Sequence, residues 1–210
     1  ENAELPGLYR EEDFDLAGFI VGVVEREKII DGSEISVGQH IVGISSSGLH
    51  SNGYSLARKV FFEELGWEVS TYVEEFGRTL GEELLEPTKI YVKPLLGITR
   101  SFRVYGIAHI TGGGLLENIP RILPKGVKAA IKRGTWPIPP VFEVLKERGR
   151  ISEPEMYRTF NNGLGMILIT SEGDSQEIIH RLRGSGENAY LIGEIEPREE
   201  GEAQVVLKDA

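Results

Sequence analysis

Twice in this chain a short apolar run rich in β-branched residues feeds a glycine-rich polar loop, and each loop feeds a stretch with helical spacing. The first run is Gln39-His40-Ile41-Val42-Gly43-Ile44, followed by Ser45-Ser46-Ser47-Gly48-Leu49-His50-Ser51-Asn52-Gly53 and then by Tyr54, Leu56, Val60 and Phe61 at helical intervals. The second is Tyr105 to Ile110, followed by Thr111-Gly112-Gly113-Gly114 and Leu115-Leu116-Glu117-Asn118. Short β-branched runs of this kind are buried strands, and their alternation with helices restricts the chain to an α/β or α+β fold whose sheet order the sequence does not give.

The first loop sits where a helix begins, so unpaired backbone N–H groups and the positive end of the dipole favour a phosphate. It has neither the Gly-Lys-Ser/Thr ending of a P-loop nor a Gly-x-Gly-x-x-Gly pattern. Two readings stay open from the residues alone, an anion site and a turn whose serines cap the helix. His50 is either a core histidine or an orienting donor. In the second loop, three consecutive glycines cost conformational entropy on ordering, which favours contact with a ligand or a domain cleft over a plain turn.

Composition removes several classes. A net charge of −10 and a pI near 5.0 argue against a nucleic-acid surface, which needs clustered cations. With no cysteine there is no disulfide, thiolate metal site or cysteine nucleophile. His40, His50, His109 and His180 show no metal-ligand spacing. Neither a membrane span nor a signal peptide is expected, and the chain is expected to be cytoplasmic.

Elsewhere the pattern predicts helices over 54–65, closed by Gly66, over 79–86, stopped by Pro87, over 95–101, started by Pro94, over 141–148, and over 174–183. Ser152 and Glu155 have capping-box spacing. If 87–94 is helical, Lys89 and Lys93 share a face; solvation is the better reading for Lys93, less so for Lys89. Further strands are predicted at 127–131, 166–169, 189–195 and 204–207. Phe19-Ile20-Val21-Gly22-Val23-Val24 reads as a buried strand whose partners the chain does not supply. The chain is therefore expected to be a fragment, with 1–32 the remnant of a preceding domain, a boundary at Asp31-Gly32, and 33–210 a second domain. Glu1 and Glu4 lie in a turn beside Pro6-Gly7, for which a solvated turn outweighs a metal-nucleotide contact.

Five segments, in order, carry a resemblance: Glu1 to Tyr9, Ser46 to Ser55, Pro87 to Val92, Ala108 to Gly114 and Met156 to Asn161. Together they resemble the second half of the phosphoribosylformylglycinamidine cyclo-ligase (aminoimidazole ribonucleotide synthetase) family. Departures are modest: Asn2, Leu5 and Leu8 replace Thr and two Met, Leu49 stands where proline is frequent, and Asn162 where Cys or Met is. Other enzymes of the superfamily serve formylglycinamidine ribonucleotide synthesis, selenophosphate synthesis, thiamine phosphate phosphorylation and hydrogenase maturation. They, and a non-catalytic phosphate-binding module, are the alternatives.

The resemblance implies the fold of that family's C-terminal domain, a mixed sheet with flanking helices plus a remnant strand of the N-terminal domain, and ATP- and Mg2+-dependent closure of the imidazole ring of formylglycinamidine ribonucleotide in purine biosynthesis. It also implies a homodimer when intact, with most ATP and Mg2+ ligands in the N-terminal half, so that this chain alone is inactive. It assigns Ser46, Ser47, Gly48, His50, Ser51 and Asn52 to the substrate's ribose phosphate, and Thr111, Gly112, Gly113 and Gly114 to the cleft. Arg158 and Asn161 pair with phosphate or stabilise the cleft, and Glu4 faces the metal-ATP side. No catalytic residue and no metal ligand is assigned.

Overall fold

The structure, a computed structural model, describes residues 18–209. Glu1, Glu4 and the Pro-Gly turn, with the role expected of Glu4, lie outside the described residues.

The strands are β1 (His40–Ser45), β2 (Tyr72–Val73), β3 (Arg78–Thr79), β4 (Val104–His109), β5 (Val127–Lys132), β6 (Leu164–Thr170), β7 (Ala189–Pro197) and β8 (Val205–Lys208). The helices are α1 (Tyr54–Arg58), α2 (Leu80–Leu84), α3 (Val92–Ser101), α4 (Gly114–Asn118), α5 (Pro140–Arg148), α6 (Glu153–Thr159) and α7 (Glu172–Gly184). Six strands form one sheet in the order β4-β6-β1-β7-β5-β8, while β2 and β3 make a separate ribbon. Every junction of the large sheet is antiparallel except β5 with β8. The mixed sheet with flanking helices is the expected architecture.

Successive residues of a strand face opposite sides, and both sides of this sheet are covered. Ile41, Ile167 and Ile169 pack on one face with Leu115 and Ile119 of the α4 region. Val42, Ile44 and Leu168 pack on the other with Ile98 of α3 and Ile178, Ile179 and Leu182 of α7. This two-sided burial is why β1 and β6 read as nearly continuous apolar runs. A further core lies beyond the sheet, where Phe61, Leu80, Phe142, Leu145 and Phe160 join α1, α2, α5, α6 and the ribbon.

Several local expectations change. The helix after the first loop is α-helical only to Arg58 and continues as a π-helical stretch, Lys59–Glu64, before Gly66 at φ 66°. Helix α3 begins at Val92 and carries Pro94 inside its first turn, where a missing N–H removes no intrahelical bond. Lys89 is therefore outside the helix and shares no helical face with Lys93. Ser152 occupies the N-cap position of α6 without a side-chain cap bond, and the Glu155 carboxylate accepts from Thr159 and Arg158, so the capping box does not form. By contrast, Thr79 and Glu82 form a complete capping box on α2.

Residues 19–24 form no strand. Phe19, Ile20, Val21 and Val23 are 83–102% exposed, since among the described residues none offers the backbone pairing that a strand's polar edges require. No helix among the described residues is long and apolar enough to cross a membrane.

Candidate functional site

Pairing of Ser45 with Leu164, His109 with Met166 and Ile44 with Ala189 brings the ends of β1 and β4 and the starts of β6 and β7 to one edge of the sheet. The loops that follow or precede these ends converge there. Two loops that are 60 positions apart meet where the Gly112 N–H donates to Asn52 Oδ1 at 2.8 Å. The Asn52 side-chain amide donates in turn to the His50 carbonyl at 2.6 Å.

The first loop turns back on itself through left-handed backbone at His50 (φ 54°), Ser51 (φ 56°) and Gly53. Non-glycine residues rarely adopt this region, at a cost of about 1–3 kcal/mol each, so the surrounding contacts must over-determine the turn. They do so through the His50 ring. Its Nε2 accepts the Ser47 N–H at 3.0 Å and the Lys89 N–H at 3.3 Å. Two backbone donors on Nε2 place the ring proton on Nδ1, which is buried and has no partner among the described residues. Burial first, then His109 and Lys89, push the His50 pKa down to about 4, so the ring is neutral near pH 7. A neutral, enclosed imidazole orients a loop; it carries few protons at that pH.

Ser46 and Asn161 brace the loop from beneath. Ser46 Oγ donates to Asn161 Oδ1 at 3.0 Å, the Gly163 N–H donates to the same oxygen at 2.8 Å, and Asn161 Nδ2 donates to the Gly48 carbonyl at 2.9 Å. Ser47 Oγ reaches both His50 Nε2 and the Pro87 carbonyl. A side chain at Gly48 would lie 3.7 Å from Glu83, whose carboxylate pairs with Arg78 at 2.6 Å. Ser51 is exposed at the tip.

In the second loop Gly113 (φ 98°) and Gly114 (φ 54°) are left-handed. A Cβ on Gly114 would stand 2.1 Å from the Tyr157 carbonyl oxygen, so the close approach that this glycine permits is to the backbone of α6. Thr111 Oγ1 donates to Asn118 Oδ1 at 3.2 Å. Of the other expected site residues, Asn161 is fully enclosed, whereas Arg158 is exposed on α6 and paired with Glu155.

Sequence reasoning passed over Tyr91, Gly165, Asn118 and Glu187. Tyr91 is buried, donates its hydroxyl to the Ser45 carbonyl at 2.8 Å, and sets its ring edge-on to His50 and His109, with centroids 6.1 and 6.5 Å apart. Burial, with Glu187 nearby, raises the Tyr91 pKa, which keeps the phenol protonated. Gly165 makes room: a Cβ there would fall 2.1 Å from the Tyr91 hydroxyl and 2.8 Å from His50 Cε1. Lys89 Nζ stands 2.5 Å from Glu187 Oε2, which leaves the lysine charge locally balanced. Tyr91 and Asn118 lay inside or beside segments already singled out, whereas nothing local to Glu187 marks it. Among the described residues no three His, Asp or Glu side chains converge as a group that could hold a metal ion.

Residues 36–206 match the family described as "AIR synthase related protein, C-terminal domain". A phosphoribosylformylglycinamidine cyclo-ligase of Syntrophotalea carbinolica is 55% identical over 208 residues, covering 99% of this chain and 59% of that protein. That of Geobacter metallireducens is 55% identical over 207 residues, covering 99% of this chain and 60% of that protein. The chain thus spans about three fifths of the length of these relatives. A crystal structure of thiamine-monophosphate kinase from Stenotrophomonas maltophilia K279a is similar at a TM-score of 0.58 and 15% identity, covering 88% of this chain and 54% of that one. At that identity the likeness is one of fold.

Proposed function

The chain belongs to the AIR synthase related family, whose C-terminal domain it contains, and on that premise we propose that it is the C-terminal part of a phosphoribosylformylglycinamidine cyclo-ligase. The intact protein would use ATP to close formylglycinamidine ribonucleotide to aminoimidazole ribonucleotide. The observation that carries the reading is 55% identity to a cyclo-ligase over nearly the whole chain. The bridged pair of glycine loops at one sheet edge supports it from the geometry.

In this reading the turn of Ser46, Ser47, Gly48, His50, Ser51 and Asn52 holds the ribose phosphate, and Thr111 to Gly114 line the cleft. Neutral His50 holds the turn's shape, and Asn161 braces it from inside. Arg158, at the surface of α6, supplies a cation once it leaves Glu155. ATP, when bound, would supply the phosphoryl group that makes the formyl oxygen a leaving group, with ADP and phosphate as products. The residues of this chain contribute substrate binding and orientation, which lower the barrier by prepaying the entropy of alignment. Mg2+ and most of the ATP contacts belong to the N-terminal half, with the division between the halves near Asp31-Gly32. A cytoplasmic homodimer completes the proposal.

The test is ring closure by the full-length protein that contains this chain. ATP-dependent formation of aminoimidazole ribonucleotide supports the proposal. A full-length protein that binds ATP yet leaves the amidine unchanged would overturn it.

A further inference from the structure

Asn118 is 3% exposed and spends its whole side chain on the triglycine turn. Its Nδ2 lies 2.8 Å from the Gly114 carbonyl, 3.1 Å from that of Gly112 and 3.3 Å from that of Thr111, so its two protons serve three acceptors with one proton shared, while its Oδ1 accepts the Thr111 hydroxyl at 3.2 Å. Buried amides are kept for such convergent bonding, because an unmade bond there costs the desolvation of the group. The geometry has a directional consequence. In a trans peptide the C=O and the N–H point opposite ways. The Thr111 carbonyl faces Asn118, so the N–H of the same peptide, on Gly112, faces away, and it meets Asn52 Oδ1 at 2.8 Å. One peptide plane is therefore clamped between two asparagines. The Gly112 carbonyl also faces Asn118, at 3.1 Å.

We infer that Asn118 is a positioning residue of the substrate site: through the Thr111–Gly112 peptide and Asn52 it sets the turn that carries His50. The chain of bonds runs from Asn118 through that peptide to Asn52 and on to the His50 carbonyl. Each bond polarises the next, so a change at one end is felt at the other. Its bearing on substrate rests on the function proposed above; the coupling of the two asparagines does not.

The experiment uses the full-length protein that contains this chain. Asn118→Ser keeps one hydroxyl donor and Asn118→Asp removes the donors altogether. We expect each to raise the KM for the amidine substrate about tenfold with kcat changed far less, the split of a lost binding geometry. Combined with Asn52→Ala, neither should add its full effect, since both act through one peptide. An unchanged KM in a folded variant, or full additivity, overturns the inference. A readout independent of turnover is Gly112 amide exchange, which should accelerate about tenfold in Asn118→Ser, the loss of one buried hydrogen bond. An arm that leaves Asn118 in place covers variants that fail to fold: Asn52→Ala should shift the Asn118 side-chain amide resonances, and unmoved resonances overturn the coupling. Were the wild-type enzyme inactive, the function would fall while exchange and resonances still decided this point.

Discussion

The side-chain oxygen of Asn52 accepts the backbone N–H of Gly112 at 2.8 Å, and this one bond joins the turn after β1 to the turn after β4. Both turns leave the same edge of the sheet because β6 lies between their strands and pairs with each. The bond therefore converts two separate glycine turns into a single wall.

Asn52→Ala removes the bond and leaves the Gly112 N–H without its partner. We expect a loss of about 1 kcal/mol in stability and, under the function proposed above, about a tenfold rise in the amidine KM of the full-length protein. Denaturant melts and steady-state kinetics check both. An unchanged KM would mean that the bridge is only structural.

His50 gives the fold an acid-sensitive element. Its folded pKa is held down at about 4 against an ordinary 6.5, so the unfolded chain binds more protons between those values. Stability is then full above about 6.5 and is lost as pH falls through about 4, by on the order of 3 kcal/mol. His109, also lowered by burial, adds a loss of the same sign. Thermal melts over this range should show a shallower acid slope for His50→Gln than for the wild type; parallel slopes would refute the assignment.

Gly165→Ala drives a methyl group into the Tyr91 hydroxyl. We expect a cost of about 1–3 kcal/mol from overpacking. Tyr91→Phe alone should cost about 1 kcal/mol through the lost bond to the Ser45 carbonyl. In the double variant the nearest clash is gone, so the combined loss should fall short of the sum. A strictly additive pair in urea titrations would place the strain elsewhere, for instance at His50 Cε1.

Asn161 and Arg158 stand close in sequence and should behave oppositely. Asn161→Ala breaks three buried hydrogen bonds and should cost about 2–3 kcal/mol. Arg158→Ala removes an exposed ion pair and should change stability by less than about 0.5 kcal/mol, while raising the amidine KM if the arginine meets substrate phosphate. Equal melting temperatures for the two variants would contradict this division.

The exposed run at 19–24 should make the 210-residue chain self-associate. Light scattering should fall when Ile20 and Val23 become lysine. Scattering that persists unchanged would assign the association to another surface.

What the sequence alone determined is what depends on neighbours along the chain. Apolar runs marked β1, β4, β5 and β6, helical spacing marked α5 and α7, and Gly66 marked a helix end, because strand alternation, helical periodicity and capping act over a few residues. The glycine loops drew notice for the same reason, as did the ordered segments that placed the chain in its family. What only the tertiary structure decided is which polar groups meet. Asn161 and Gly48 are 113 positions apart, Asn52 and Gly112 are 60 apart, and no period or local propensity records such pairs. Their pairing follows from the strand order β4-β6-β1-β7, which rests on contacts between residues far apart in the chain. The same cause separates Asn161, turned inward as a brace, from Arg158, left at the surface three residues before it.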